Sequence, residues 1–416
     1  MTASPAGLAA RRRPPSPRPY LAATTLSRAE STETAPRLQA IDVVRGLVMV
    51  LMAIDHVRVY AGQPPGGPTA GIFFTRWITH FAAPAFCFFA GTGAFLHGRK
   101  LGDVAALSRY LLGRGLLLVL LELTVIREAW TFNLDYAHYV QGNVIWVLGW
   151  CMVAMSALVF LSARTVGVVG LVIVFAQQLL RLPETLLSPA AFAATKPLWQ
   201  LLYLGGKIPL GDGGASFAVI YAFVPWIGVM AAGYGFGALL GGTAEQRRRR
   251  CVHLGLALTA AYLVVAGTIV LAHAPQPGDP PLLFQLLGQQ KYPASQLFLM
   301  MTLGPTIALL PLAERARGRV ASMLTTFGRV PMFYYLLHIP LIHALAMIVS
   351  LVRTGHVDAW LFGNHPWAAG PPPAGYMWNL GLLYAIFAVA VALLYVPCVW
   401  YGRLKARHRT SLLRFI

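Results

Sequence analysis

Apolar stretches long enough to cross a lipid bilayer recur along almost the whole chain. A hydrocarbon core about 30 Å thick needs about 20 helical residues. Helices and closed barrels are the structures that satisfy every backbone polar group in lipid. The repeated runs therefore predict an all-α fold, a polytopic transmembrane helix bundle of about ten spans. The expected spans are 41–61, 79–97, 108–126, 143–161, 165–181, 217–241, 251–272, 296–312, 330–352 and 379–402.

Charged residues are too few for a soluble protein of this length. They make up 11% of the 416 residues, whereas 57% are hydrophobic, and soluble domains average roughly 25% charged residues. Residues 1–36 differ, because they are rich in Pro, Ala and Arg and lack the apolar segment of a signal peptide. We expect 1–36 to be a disordered basic tail and 37–416 to form a single transmembrane domain.

The basic residues are distributed unevenly between the loops. The formal net charge of +19 would indicate nucleic-acid binding in a soluble protein. Here 23 of the 33 Lys and Arg residues fall on the side that would hold both termini, 7 on the other side and 3 within spans. This is the positive-inside pattern. It predicts an integral protein of the cytoplasmic membrane with both termini in the cytoplasm. Membrane lipids are the expected partners, and nucleic acid is not.

Cysteine and histidine spacing gives no indication of a metal site. No two of the four cysteines have the spacing of zinc ligands, and the histidines never form a ligand set on one helix. We expect no bound metal or cofactor. The cysteines are expected to be small buried hydrophobic residues: Cys87, Cys151, Cys251 and Cys398.

Three ionisable side chains of the first span share one face of the helix. At roughly 100° per residue, Arg45 and His56 lie about 20° apart in azimuth and Asp42 within about 60° of both. His56 would lie about 16 Å further along the axis than Arg45, and Asp42 can pair with Arg45 one turn away. Because ionisable groups in hydrocarbon are costly, this stripe is a candidate functional site. It predicts a cation towards the cytoplasm and a titratable base towards the outside.

Asp55 directly precedes His56, which suggests an acid–base pair. A carboxylate can orient an imidazole or raise its basicity. Adjacent helical residues do not face each other, however, so a pair of Asp55 with Arg58 at i+3 remains open. The structural alternative is a polar helix end with snorkelling side chains.

Further candidate residues lie near the predicted outer ends of other spans. His80 begins the second span, and Lys291 and Tyr292 precede the eighth. His338 and His343 lie within the ninth span. Interfacial anchors and packed, hydrogen-bonded histidines are the structural alternatives for these positions.

Glu122 of the third span is expected to be buried. A buried carboxylate needs a compensating partner. The sequence predicts that Arg45, Arg58 or Arg114 supplies it.

Four segments resemble a bacterial branch of the heparan-α-glucosaminide N-acetyltransferase catalytic-domain family: RLQAIDVVRGLVMVLMAIDH, THFAAPAFCFFAG, KYPASQLFLMMTLGP and GRVPMFYYLLHIPLIH. The resemblance extends over about residues 37–415. It implies an integral-membrane acyltransferase that uses cytosolic acyl-CoA to modify sugars outside the cytoplasm. Asp42, Arg45 and His56 match the motif on the first helix of the family. The resemblance therefore implies that Arg45 lies near the acyl donor and that His56 is the catalytic histidine.

The resulting hypothesis is transfer of an acyl group, with acetyl expected, from acyl-CoA to a hydroxyl or amine of a small sugar-like acceptor. His56 would act as general base or acyl carrier, tuned by Asp55, while Arg45 and Asp42 would line the acyl-CoA entrance. The residues expected to shape the acceptor side are Arg58, His80, Lys291, Tyr292, His338 and His343. The alternatives are a transporter or permease for a small solute, with the polar stripe as its pathway, and an inactive acyltransferase-like membrane protein.

Overall fold

The computed structural model describes residues 39–408 except Pro68 and Pro275, so the predicted tail 1–36 lies outside the described residues. It is 75% helical, which confirms the predicted all-α membrane fold in outline. The α-helices are α1 (Gln39–Tyr60), α2 (Ala70–Trp77), α3 (Ala82–Leu101), α4 (Val104–Leu121), α5 (Arg127–Thr131), α6 (Val144–Leu158), α7 (Ala163–Ala176), α8 (Leu182–Leu186), α9 (Pro189–Trp199), α10 (Phe223–Leu239), α11 (Ala244–Ala272), α12 (Leu282–Leu287), α13 (Gln296–Arg315), α14 (Gly318–Arg329), α15 (Pro331–Thr354) and α16 (Leu380–Arg407).

Short segments of other types connect some of these helices. Three are 3-10 turns (Ile78–Phe81, Gln177–Arg181 and Ala359–Phe362), and two are π-helical (Glu122–Ile126 and Gln200–Leu204). The strands are β1 (Tyr139–Gly142), β2 (Gly206–Pro209) and β3 (Ser216–Val219).

The three strands form one small sheet, which the sequence does not predict. Its order is β1-β3-β2, with β3 parallel to β1 and antiparallel to β2. The predicted span 217–241 is therefore wrong at its start. Strand β3 uses its backbone groups for pairing with both neighbours, and α10 begins only at Phe223.

Among the residues that the structure describes, seven helical stretches are long and apolar enough to cross a membrane. Helices α6 and α10 are apolar but shorter. Together these helices make the chain an integral multi-pass membrane protein, as predicted. The seven stretches are Ala70–Leu101, Val104–Thr131, Ala163–Leu186, Ala244–Ala272, Gln296–Arg315, Pro331–Thr354 and Leu380–Arg407.

Helix α1 lies inside the bundle. Every one of its residues is buried or half-buried, and it contacts α3, α13, α14, α15 and α16. Outer helices such as α11 instead expose apolar side chains, including Leu263 and Val264. The four cysteines are buried and free, as predicted.

Glycines allow the closest helix crossings. A Cβ atom added at Gly233 of α10 would lie 2.0 Å from the carbonyl oxygen of Phe88 in α3. Helices α1 and α14 meet in the same way, since a Cβ atom at Gly328 would lie 1.8 Å from the carbonyl oxygen of Asp42. This second crossing brings the end of α14 against the start of α1.

We expect Gly233→Ala to destabilise the fold by about 1–3 kcal/mol, because the added methyl group forces α3 and α10 apart. The matched control is Gly267→Ala in α11, where a Cβ atom would meet nothing within 4 Å. It should be neutral or slightly stabilising, since alanine favours helix more than glycine does. Thermal unfolding of the purified variants in detergent measures both effects. Equal melting temperatures for the two variants would contradict the proposed crossing.

Candidate active site

Two histidines from distant parts of the chain meet at the end of α1. Nδ1 of His56 lies 2.6 Å from Nε2 of His338 in α15, and the two rings stack with centroids 4.8 Å apart. On its other side, Nδ1 of His338 lies 2.6 Å from the carbonyl oxygen of Tyr335. His338 is fully buried, whereas His56 is half-buried.

This network assigns the protons of the neutral pair. A carbonyl oxygen only accepts hydrogen bonds, so Nδ1 of His338 must be the donor to Tyr335. Nε2 of His338 is then the acceptor, and Nδ1 of His56 donates to it. Nε2 of His56 consequently keeps its lone pair. The assignment follows from the hydrogen-bond network and leaves His56 as the imidazole with a basic nitrogen.

Aromatic rings flank the imidazole of His56. The ring of Trp130 meets it edge-on at 4.7 Å, and that of Tyr335 lies at 6.5 Å, also edge-on. The hydroxyl group of Tyr60, one turn along α1, donates to the carbonyl oxygen of Trp130 at 2.7 Å. These contacts hold His56 in an apolar setting at a polar helix end.

Asp55 contacts two arginines. Nε of Arg58 donates to its Oδ1 atom at 2.9 Å, and Nη1 of Arg76 donates to its Oδ2 atom at 2.6 Å. The side chain of Asp55 is 18% exposed, and both guanidinium groups are more buried. The pair of Asp55 with Arg58, left open in the sequence, is therefore present, and the hydrogen bond of His56 goes to His338.

Lys291, Tyr292 and His80 lie beside these charges. Lys291 is 8% exposed, and its Nζ atom lies 5.2 Å from the ring centroid of Tyr292 and 5.7 Å from that of Tyr221. Burial lowers the pKa of Lys291, and the nearby Arg76 charge acts in the same direction, whereas Tyr292 and Asp55 oppose it. His80 is within electrostatic range of Lys291, Arg76 and Asp55. The structure thus groups these residues with Asp55 and His56.

His343 lies in a separate aromatic cluster. Its ring stacks on Phe132 at 3.9 Å and on Tyr60 at 4.5 Å, and its Nδ1 atom lies 3.2 Å from the carbonyl oxygen of Ala129. It is fully buried. The neighbours of His343 are therefore Tyr60 and Phe132, and it contacts the histidine pair only indirectly.

The opposite end of α1 adjoins a cavity of about 300 Å³. Asp42 forms an ion pair with Arg329 of α14 (Nε–Oδ2 3.8 Å), a partner from outside its own helix. Nη2 of Arg45 donates to the carbonyl oxygen of Phe89 in α3 at 2.5 Å. The residues lining the cavity are Gln39, Ala316, Arg317, Gly318, Ala321, Ser322, Thr325, Thr326 and Arg329.

Glu122 does not have the predicted cationic partner. It is fully buried, and no arginine side chain of the described residues hydrogen-bonds to its oxygens. The carboxyl group lies beside the backbone N–H groups of Asn143, Ile145 and Trp146 at the start of α6. A helix N-terminus carries partial positive charge, which takes the place of the expected arginine.

Sequence reasoning missed three residues of these sites. Arg76 was counted among loop charges, although its place one turn before His80 signals a shared helix face. Trp130 is among the aromatic residues expected in an interfacial belt at the outer ends of the spans, a position that does not indicate its contact with His56. Arg329 was assigned only to membrane orientation.

In the part of the chain that the structure describes, no group of three His, Cys, Asp or Glu residues is arranged to hold a metal ion.

We expect Asp55→Asn to destabilise the protein by about 3–5 kcal/mol, because it leaves two buried guanidinium groups without their carboxylate. Glu245→Gln is the matched control. Glu245 also contacts two arginines, Arg248 at 3.2 Å and Arg249 at 3.0 Å, but its side chain is 50% exposed. Its loss should cost at most about 1 kcal/mol. Thermal unfolding in detergent measures both changes, and a similar loss in both variants would count against the buried network.

A family model described as "Heparan-alpha-glucosaminide N-acetyltransferase, catalytic" matches residues 37–274, which is more than half of the chain. The match includes Arg45 and His56. It ends before Lys291 and His338, and so is shorter than the expected 37–415. No curated protein gives a significant match. The matched region and the apolar helices together place the chain in the heparan-α-glucosaminide N-acetyltransferase catalytic-domain family of membrane acyltransferases.

Proposed function

We propose that the protein transfers an acyl group, with acetyl expected, from cytosolic acyl-CoA to an acceptor on the outer side of the membrane. The hydrogen-bonded chain from Tyr335 through His338 to His56 carries this proposal. This chain of hydrogen bonds holds the imidazole of His56 by its Nδ1 atom and leaves the Nε2 atom of His56 free to take a proton. An Asp–His pair does the same in other acyl-transfer sites. Here a second histidine, fixed by a backbone carbonyl, provides that support.

The free Nε2 atom of His56 can serve either of two routes. In direct transfer, it accepts the proton of the acceptor as the acceptor atom attacks the thioester carbon. The carbon–sulfur bond then breaks, and the proton passes to the leaving CoA thiolate. In the two-step route, Nε2 itself attacks the thioester carbon, the carbon–sulfur bond breaks and CoA leaves as the thiolate. The acceptor then displaces the imidazole from the acyl group, and the proton of the acceptor neutralises the CoA thiolate. A labelled acyl group retained on the protein without acceptor would identify the second route.

The proposed orientation has ten spans and both termini in the cytoplasm. Each predicted span overlaps either a long helix or one of the shorter apolar helices α6 and α10. The 23-to-7 asymmetry of Lys and Arg supports the sidedness. In this orientation, Arg45 and Arg329 lie at the cytoplasmic end, and His56 lies about 16 Å further along α1 than Arg45.

The cavity at the start of α1 supports the proposed acyl-CoA entrance. Arg317 and Arg329 offer guanidinium groups, and Ser322 and Thr325 offer hydroxyl groups. Such donors suit the phosphate groups of CoA. Asp42 is joined to the cavity through its ion pair with Arg329. We therefore propose Arg329 as a donor-binding residue in addition to Arg45 and Asp42.

We expect His56→Gln to lower acyl transfer by about 10²- to 10⁴-fold, the usual range for loss of a general base. His338→Phe should reduce it as well, since it removes the acceptor for Nδ1 of His56. His253→Gln, an exposed position of α11, is the control and should retain activity.

The assay measures CoA thiol release from acetyl-CoA by protein in nanodiscs with a panel of sugar acceptors. Unchanged turnover in His56→Gln would remove this residue from the mechanism. Gradient-driven solute uptake without acyl transfer would favour the transporter alternative.

We expect Arg329→Ala to raise the KM for acetyl-CoA by about tenfold, equivalent to about 1.4 kcal/mol, with little change in kcat. Loss of a charge-assisted contact to phosphate accounts for this size of effect. Arg319→Ala is the control, since Arg319 is exposed on the same helix and does not line the cavity. Equal KM values in the two variants would argue against donor binding at this cavity.

A further inference from the structure

Buried positive charge exceeds buried negative charge beside His56. Arg58 and Arg76 are each 7% exposed, and Lys291 is 8% exposed. Asp55 is the carboxylate whose charge acts on all three. At their formal charges, the four residues of this outer cluster (Asp55, Arg58, Arg76 and Lys291) are three cations and one carboxylate, a sum of +2. A buried charge without a partner costs several kcal/mol, so this excess needs an explanation.

Lys291 is the least compensated member of the outer cluster. Both oxygens of Asp55 receive arginine hydrogen bonds. The Nζ atom of Lys291 instead lies over the rings of Tyr221 and Tyr292. Cation–π contacts of this kind stabilise an ammonium group by less than its desolvation costs. The remaining donors of Lys291 are therefore suited to an anion.

A second polar group is left without a partner at the same place. Nδ1 of His80 is buried and has no hydrogen-bond partner. The charges that act on His80 include those of Lys291 and Arg76. A neutral imidazole can present an N–H donor at this atom. The outer cluster offers an ammonium group and two guanidinium groups, and His80 beside it offers an imidazole nitrogen without a hydrogen-bond partner.

The same charges oppose an amine acceptor. An aliphatic amine is protonated at neutral pH, and an ammonium group would meet a region that already carries two excess positive charges. Like charges in a low-dielectric site repel strongly. The matched family model is named after an N-acetyltransferase, whose acceptor is an amine, whereas the charges of this outer cluster favour an acceptor that carries an anion.

We infer that the acceptor carries an anionic group, carboxylate or phosphate, which binds to Lys291 and Arg76, and that it receives the acyl group on a hydroxyl. This inference rests on the proposed function, since it names the substrate class of the same site. The anion would pair with the excess charge, while a neighbouring hydroxyl of the same molecule faces His56. A soluble sugar acid or sugar phosphate and the phosphate of a lipid headgroup share this chemistry.

The test uses the full chain in phosphatidylcholine nanodiscs and four probes: glucuronate, glucose 6-phosphate, glucose and glucosamine. Melting temperature measures binding, because a ligand of the native state raises it. We expect saturable shifts with the two anions and none with glucose or glucosamine at the same concentrations. With acetyl-CoA present, transfer should follow the same order. Nanodiscs of phosphatidylglycerol distinguish a lipid phosphate from a soluble anion as the acceptor group. If the lipid is the acceptor, it will carry the labelled acetyl group after incubation with labelled acetyl-CoA. It will also abolish the shift in melting temperature that the soluble anions cause.

Two lysine variants are matched for this test. Lys291→Met should weaken anion binding at least tenfold, while Lys207→Met, on the exposed face of β2, should leave it unchanged. Without ligand, Lys291→Met should melt no lower than the wild type, because it removes a buried charge. Lys291→Arg should restore the preference for anions. If Lys291→Met does not fold, the melting-temperature shifts of the wild type with the four probes still test whether the site prefers anions.

The outcomes separate the two proposals. Equal shifts with glucose and glucuronate, a larger shift with glucosamine, or equal behaviour of the Lys291 and Lys207 variants would overturn the anionic acceptor. Acyl transfer to neutral sugars that does not depend on Lys291 would overturn the anionic acceptor but would retain the proposed acyltransferase function. Anion binding that requires Lys291, with no transfer to any acceptor, would retain the anion site and overturn the proposed function.

Discussion

The fold depends on keeping α1 out of lipid. This helix carries Asp42, Arg45, Asp55, His56 and Arg58 in a region of membrane-spanning length. Each such group would be costly in hydrocarbon. The protein surrounds α1 with other helices, so that none of its residues is exposed. The glycine crossing with α14 and the histidine contact with α15 are both consequences of this central position.

Within that enclosure, the two ends of α1 compensate charge differently. At the start, Asp42 meets Arg329 beside a cavity with further polar side chains. At the end, Asp55 is shared by two arginines, and Lys291 rests on aromatic faces. The first arrangement is open and suits a ligand that arrives from water. The second is buried, and its carboxylate is already shared by two arginines, so an anionic group on an acceptor would compensate the remaining charge of Lys291.

Apolar run length made the helices predictable, because the bilayer fixes how many residues a span needs. The azimuth of Arg45 and His56 on α1 likewise follows from helix geometry. Pairings between helices were not predictable. His56 and His338 are 282 residues apart, and local periodicity contains no information on which spans become neighbours. Glu122 shows the same limit: an arginine was expected, but backbone N–H groups at the start of α6 lie beside it. A pattern of side chains cannot reveal a partner that belongs to the main chain.

The site also crosses a boundary within the chain. The family match ends at residue 274 and includes His56, but His338, which fixes the proton of its Nδ1 atom, follows that boundary. The same is true of Lys291, which sets the charge excess near Asp55. The basic nitrogen of His56 and the excess of positive charge near Asp55 are separate properties. Each depends on a residue outside the matched region, His338 for the first and Lys291 for the second. The matched region therefore supplies His56, Arg58 and Arg76, whereas the later part of the chain supplies His338 beside the imidazole and Lys291 beside Asp55.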